Sequence, residues 1–176
     1  MNKNTCVIAC PIDCYSGYSS RSRDFVKSLI QLKQKEWDIS IIPLRWGSTP
    51  WGFIKDHHKD WGFLEKYLIP QQLSFQPDIW IQISVTNEFQ KVGKYNIGVS
   101  AGIETTLCAP GWIKGINNMD LILVSSEHAK TTFMNSKYEM KDEKTGQPQG
   151  ILKVEKPIEV IFEGVLTDKY YPIKWA

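Results

Sequence analysis

Six short apolar runs punctuate this chain, and helix-like or polar stretches separate them. They are "TCVIACPI", "WDISIIPL", "DIWIQISV", "YNIGVSA", "MDLILVSS" and "IEVIFEG". Each is short, rich in small and β-branched residues, and bounded by Gly, Pro, Asn, Asp or Ser, as buried strands are. Strands that are apolar throughout, rather than at every second position, are covered on both faces. With helices between them they form a parallel sheet. The pattern predicts an α/β fold: one Rossmann-like three-layer domain with a mainly parallel sheet, spanning residues 1–176.

Between the first two runs, residues 20–35 carry Phe25, Val26, Leu29 and Ile30, a stripe suited to a helix lying on a sheet. After the fifth run, Ser126 can cap a helix and Glu127 suits the positive end of its dipole. Residues 136–157 are polar and broken by Gly and Pro, and read as an exposed excursion or hairpin. "RWGSTPWGFIKDHHKDWGF" is long for a connection and rich in Gly, Trp and His, which marks it as a candidate functional loop.

The charge balance, 21 basic against 19 acidic residues, gives no electrostatic case for nucleic acid. No run approaches the roughly 20 apolar residues that span a bilayer. The N-terminal apolar run is short and breaks at Pro11, unlike a signal peptide. A cytoplasmic protein with reduced thiols is the expectation. Cys6 and Cys10 fall on one face of the first strand, which suits packing, and with Cys14 they form no Cys-x-x-Cys pair.

In parallel sheets the ligand crevice lies beyond the carboxyl ends of the strands, and this selects the loops to inspect. After the first strand, Ser16, Gly17 and Tyr18 lead into a helix whose unpaired N–H groups suit phosphate, with Arg21 and Arg23 able to add charge. The same residues also read as an ordinary strand-to-helix turn. Only one glycine is present, so neither the three-glycine dinucleotide fingerprint nor a Walker pattern is met. Arg45 follows the second strand, where a dinucleotide dehydrogenase wants an acidic residue, and that reading is disfavoured.

After the fourth strand, Gly102, Glu104 and Thr105 form the most suggestive loop. A carboxylate there can bind sugar hydroxyls or stabilise positive charge, or it can simply be exposed. Asn87 ends the neighbouring strand, and His128 opens a helix on the crevice side. Trp46, Trp51, Trp61 and Trp112 lie in connections, where indoles stack on sugars or pack into a core. His57 and His58 adjoin Asp56 and Asp60, but adjacent histidines on a helix diverge by roughly 100°, so no metal site is expected.

The segment "YNIGVSAGIETTLCAPGWIKGINNMDLILVSSEHAKTTF" resembles part of the retaining glycosyltransferases of GT-B fold. In that group a strand ending in a Glu-Thr-Thr-like turn precedes a Trp-bearing helix, an Asp-led strand and a Ser-Glu helix start. Trp112, Asp120, Ser125, Ser126, Glu127 and Phe133 follow that order. "IEVIFEGVLTDKYYP" is similar to the stretch closing the N-terminal domain of the group, with Gly164, Val165 and Pro172 in register. "SGYSSRSRDFVKSL" looks like the group's first loop, with Ser16-Gly17 in place of a frequent Gly-Gly.

The resemblance implies one half of a GT-B architecture: the acceptor-side N-terminal domain of an enzyme moving sugar from a nucleotide-sugar co-substrate to an acceptor. It implies Glu104 as the catalytic residue, near the acceptor or the reacting carbon. It further implies Ser16, Gly17, Tyr18, Arg21, Trp46, Asn87, Gly102, Thr105 and His128 as substrate-binding candidates, with no metal or other cofactor. The donor-binding domain of such enzymes carries a Glu-x7-Glu motif, and these 176 residues are expected to precede that domain. The implied partners are a nucleotide sugar, a glycosyl acceptor and a donor-binding domain or chain, and the chain alone is expected to be inactive. The alternative is a non-catalytic Rossmann-like module that binds a sugar, a nucleotide or a protein.

Overall fold

The structure, a computed structural model, describes residues 3–142, 144–164 and 171–173. Val165, matched in the closing block, lies outside the described residues. Strands β1 (Asn4–Cys10), β2 (Trp37–Pro43), β3 (Ile79–Ile83), β4 (Tyr95–Ser100) and β5 (Leu121–Val124) coincide with the first five apolar runs. The sixth supplies β8 (Ile158–Val160). All six pair in parallel in the order β2-β1-β3-β4-β5-β8, and helices cover the sheet, giving a Rossmann-like three-layer α/β domain.

Side chains alternate across the sheet with the strand period of two and so build two cores. On one face Cys6, Ile8, Cys10, Ile41 and Ile81 pack against Val26 and Ile30 of helix α1 (Gly17–Lys33). Ile54 of α2 (Phe53–Asp56) and Leu64 join the same face, beyond α3 (His58–Trp61). On the other face Val7, Ala9, Trp80, Ile122 and Val124 meet Ile113 and Ile116 of α4 (Pro110–Asn117). Ala129 and Phe133 of α5 (Glu127–Asn135) complete that core.

Strands β6 (Tyr138–Lys141) and β7 (Pro148–Leu152) pair antiparallel within the expected excursion. Helix α1 starts at Gly17, three residues before the expected start, because the Ser16 side chain rather than a later serine accepts the Ser19 N–H.

Between β3 and β4 there is no α-helix, only a 3-10 turn at Thr86–Glu88. Two glycines make that shortcut possible. Gly98 leaves room for the Phe89 ring on the sheet, where any Cβ would overlap it. Gly115 lets α4 press against the Thr86 carbonyl, a space that one methyl group would fill.

The amino ends of the strands are tied by carboxylates. Asp78 Oδ2 accepts from the Thr5 N–H and hydroxyl, each at 2.9 Å, and Oδ1 accepts from Lys94 Nζ at 2.7 Å. Asp120 accepts from the Asn96 N–H at 2.8 Å. These bonds fix strand register at the end opposite the crevice.

Candidate functional site

The strand order changes direction between β1 and β3, since β2 lies on one side of β1 and every later strand of this sheet on the other. Loops at the carboxyl ends there diverge to opposite faces and leave the crevice of a parallel sheet.

The loop after β1 is stitched to the loop after β2. Leu44 N–H donates to the Cys10 carbonyl at 2.9 Å, and Tyr15 N–H to the Pro50 carbonyl at 3.2 Å. The Asp13 carbonyl accepts from Gly52 and Phe53, while its carboxylate accepts the Ile54 N–H at 2.7 Å. Tyr15 Oη donates to Asp56 at 2.6 Å, and that bond raises the Tyr15 pKa.

Arg23 clamps this unit from beneath. It is 5% exposed, and its Nη1 donates to the carbonyls of Ile12 and Cys14, both at 3.0 Å. Its guanidinium lies 3.5 Å over the Phe53 ring. The expectation that Arg23 adds charge beside a phosphate is therefore corrected: it is a buried structural cation, held by loop carbonyls and an aromatic face. Arg21 pairs with Glu163, with Nη1–Oε1 at 2.7 Å.

Tyr18 links three loops. Its hydroxyl pairs with Ser100 Oγ at 3.2 Å and accepts the Ala101 N–H at 3.1 Å. Its ring stacks on Trp46 with centroids 4.1 Å apart. Ser16 is used as the α1 cap, and Gly17 is the first helical residue, with open space around its Cα.

Gly102 adopts φ +94°, and a Cβ there would collide with Ala129 on α5. Ser125 Oγ donates to the Ala101 carbonyl at 3.0 Å, and Thr132 Oγ1 to the Thr105 carbonyl at 3.0 Å. These bonds hold the β4 loop against α5. Thr105 Oγ1 donates to the Leu107 carbonyl at 2.7 Å on the exposed side of the loop. Glu104 is exposed, and among the described residues its carboxylate has no hydrogen-bond or ion-pair partner. His128 is exposed at the second position of α5, beside the Ala129 that meets Gly102. Asn87 is exposed in the 3-10 turn after β3, with its backbone against α4 at Gly115.

Ser16, Gly17, Tyr18, Trp46 and Gly102 thus belong to one connected rim. Glu104, Thr105 and His128 share the β4–α5 side of it, and Asn87 stands apart at the α4 contact. Sequence reasoning missed Ser100, Ala101, Asp13 and the buried role of Arg23. The position of Arg23 between Ser19, Ser22, Val26 and Ile30, all buried on one helix face, was the available signal.

His57 and His58 are both exposed. His57 stacks on Phe53, and His58 lies 3.6 Å from Glu65. No group of three metal-ligating side chains occurs among the described residues. The four cysteines are free and buried, and burial pushes the Cys6 and Cys10 thiols up to about 12. No helix among the described residues is long and apolar enough to cross a membrane. Comparison with protein-family models, with curated proteins and with solved structures found no match for this chain.

Proposed function

We propose that this chain is the acceptor-side half of a sugar-transferring enzyme, with a nucleotide sugar held by a second, donor-binding domain. The observation that carries the reading is Glu104. It is an unpartnered carboxylate on the loop after β4, at the carboxyl end of a parallel sheet, on a backbone fixed by Gly102 and Thr132. In a closed cleft such a group can accept bonds from sugar hydroxyls and stabilise the positive charge that develops when a glycosidic bond to phosphate breaks. The resemblance of the segment from Tyr95 to Phe133 gives the same assignment.

Transfer needs both reactants held together, so the chain alone is inactive in this reading. Exposed apolar side chains near the carboxyl end, Phe162 at 70% and Ile173 at 74%, favour a partner surface nearby. They equally support a second reading, a non-catalytic module that docks on another protein.

The test is nucleoside diphosphate release from UDP- and GDP-sugars by the chain co-expressed with any donor-binding domain encoded beside it. Release that Glu104→Gln abolishes supports the reading. Release unchanged in that variant removes Glu104 from the chemistry, and robust transfer by the purified chain alone overturns the half-enzyme assignment. Binding of a protein partner with no release from any nucleotide sugar favours the docking module.

A further inference from the structure

We infer that Trp46, backed by Tyr18, is the floor of a subsite for a neutral sugar ring, which makes the acceptor an uncharged glycan. The inference rests on the acceptor-side reading above and names its substrate class.

Both rings are set before any ligand arrives. The Tyr18 hydroxyl is fixed by Ser100 and the Ala101 N–H, so the phenol cannot swing about its Cα–Cβ bond without breaking both bonds. The Trp46 carbonyl accepts from the Thr49 N–H at 3.1 Å and the Thr49 hydroxyl at 2.7 Å, in a turn where Gly47 takes φ +50°. Tyr18 covers one face of the indole at 4.1 Å, and Trp46 remains partly exposed. An aromatic pair locked in this way binds with little further ordering cost. Its negative ring face attracts the polarised C–H groups that one side of a pyranose presents.

The charges around the pair decide between a neutral and an anionic ligand. A phosphate or carboxylate acceptor wants converging cations with free donors. Here Arg23 is buried on the Ile12 and Cys14 carbonyls, and Arg21 is held by Glu163. The Arg45 guanidinium lies 4.8 Å over the Trp51 ring, a single cation at the rim that can donate to hydroxyl groups. Asp13 and Asp56 are occupied within the loops by Ile54 and Tyr15. The rim therefore offers a stacking surface and hydroxyl-directed donors, with no converging set of cations among the described residues.

The test is a ¹⁵N–¹H NMR titration of the purified chain with maltohexaose, cellohexaose and chitotetraose, following the indole N–H of Trp46. At least one oligosaccharide is expected to shift that resonance at millimolar concentration. Trp46→Leu should weaken binding about tenfold or more, as loss of a stacking anchor does. Trp46→Phe, which keeps a ring on Tyr18, should retain part of it and guards against a folding artefact. No shift with any of the three, equal affinity in Trp46→Leu, or a response to uridine and UDP in place of the sugars overturns the inference. The assay needs no donor and no turnover. Transfer to a non-carbohydrate acceptor by a co-expressed pair would sink this subsite and leave the sugar-transfer reading standing; glycan binding with no release by any pair would do the reverse.

Discussion

The guanidinium of Arg23 lies 3.5 Å above the ring of Phe53, joining the helix after β1 to the segment after β2 through a buried cation. The same group holds the Ile12 and Cys14 carbonyls. Charge-assisted bonds of this kind contribute roughly 1.5–3 kcal/mol each, and their removal leaves two carbonyls without their donor. Arg23→Met should therefore destabilise the domain by about 2–4 kcal/mol in urea unfolding. Arg23→Lys keeps the charge but loses the planar face and the fork, and should fall between the two proteins. A loss under about 0.5 kcal/mol for Arg23→Met would mean that the loops hold themselves.

Thiol chemistry gives an independent check on the first strand. Cys6 and Cys10 are buried on the α1-facing side, with pKa values pushed to about 12, so almost no thiolate exists at neutral pH. Burial also raises the Cys108 pKa. The native chain should react with none of a thiol-exchange reagent over minutes at pH 8, and the urea-unfolded chain with four equivalents, one for each free cysteine. Rapid native labelling of Cys6 or Cys10 would contradict the packing described.

Asp78 supplies a pH signature. Its bond from Lys94, then those from Thr5, hold its carboxyl well below the usual carboxylate range. A carboxylate with a lowered folded pKa contributes stability above its unfolded pKa, near 4, and loses it as pH falls further. The difference in urea midpoint between the native chain and Asp78→Asn should be constant from pH 7 to about 5 and shrink below about pH 4. A difference that stays constant down to pH 3 would remove Asp78 from the acid limb. Asp120 and Asp142, also lowered, are present in both proteins and cancel in the comparison.

Much of this fold was legible because its strands are buried on both faces, and continuous apolar runs announce them. The Ser126 cap and the Gly/Pro-broken hairpin were legible for equally local reasons. What stayed hidden depends on residues far apart in the chain. The start of α1 was ambiguous because Ser16, Ser19, Ser20 and Ser22 are all plausible caps, and only one can face the Ser19 N–H. The helix expected from a β-α-β pattern between β3 and β4 is replaced by Phe89 lying over Gly98, a complementarity that periodicity does not carry. At the rim, candidate loops followed from the carboxyl-end rule, but the junction of Tyr18 with Ser100 and Ala101 spans more than eighty residues. Arg23 read as a cation able to add charge at the first turn because the carbonyls that bury it converge only in the folded loop.

Two rim glycines separate backbone requirement from ligand access. Gly102 sits at φ +94°, where a side chain is strained, and its Cβ would meet Ala129. Gly102→Ala should cost about 1–3 kcal/mol, because strain and overpacking act together. Gly17 is the first residue of α1, outside the left-handed region, with nothing within 4 Å of the point an alanine methyl would occupy. Gly17→Ala should leave stability unchanged or raise it by about 0.5–1 kcal/mol through the unfolded chain. Because the fold tolerates that methyl, any loss of glycan or nucleotide-sugar response in Gly17→Ala reports close approach of a ligand to this turn. An unaltered response in a fully folded Gly17→Ala protein would place the ligand farther along the rim, toward Trp46 and Glu104.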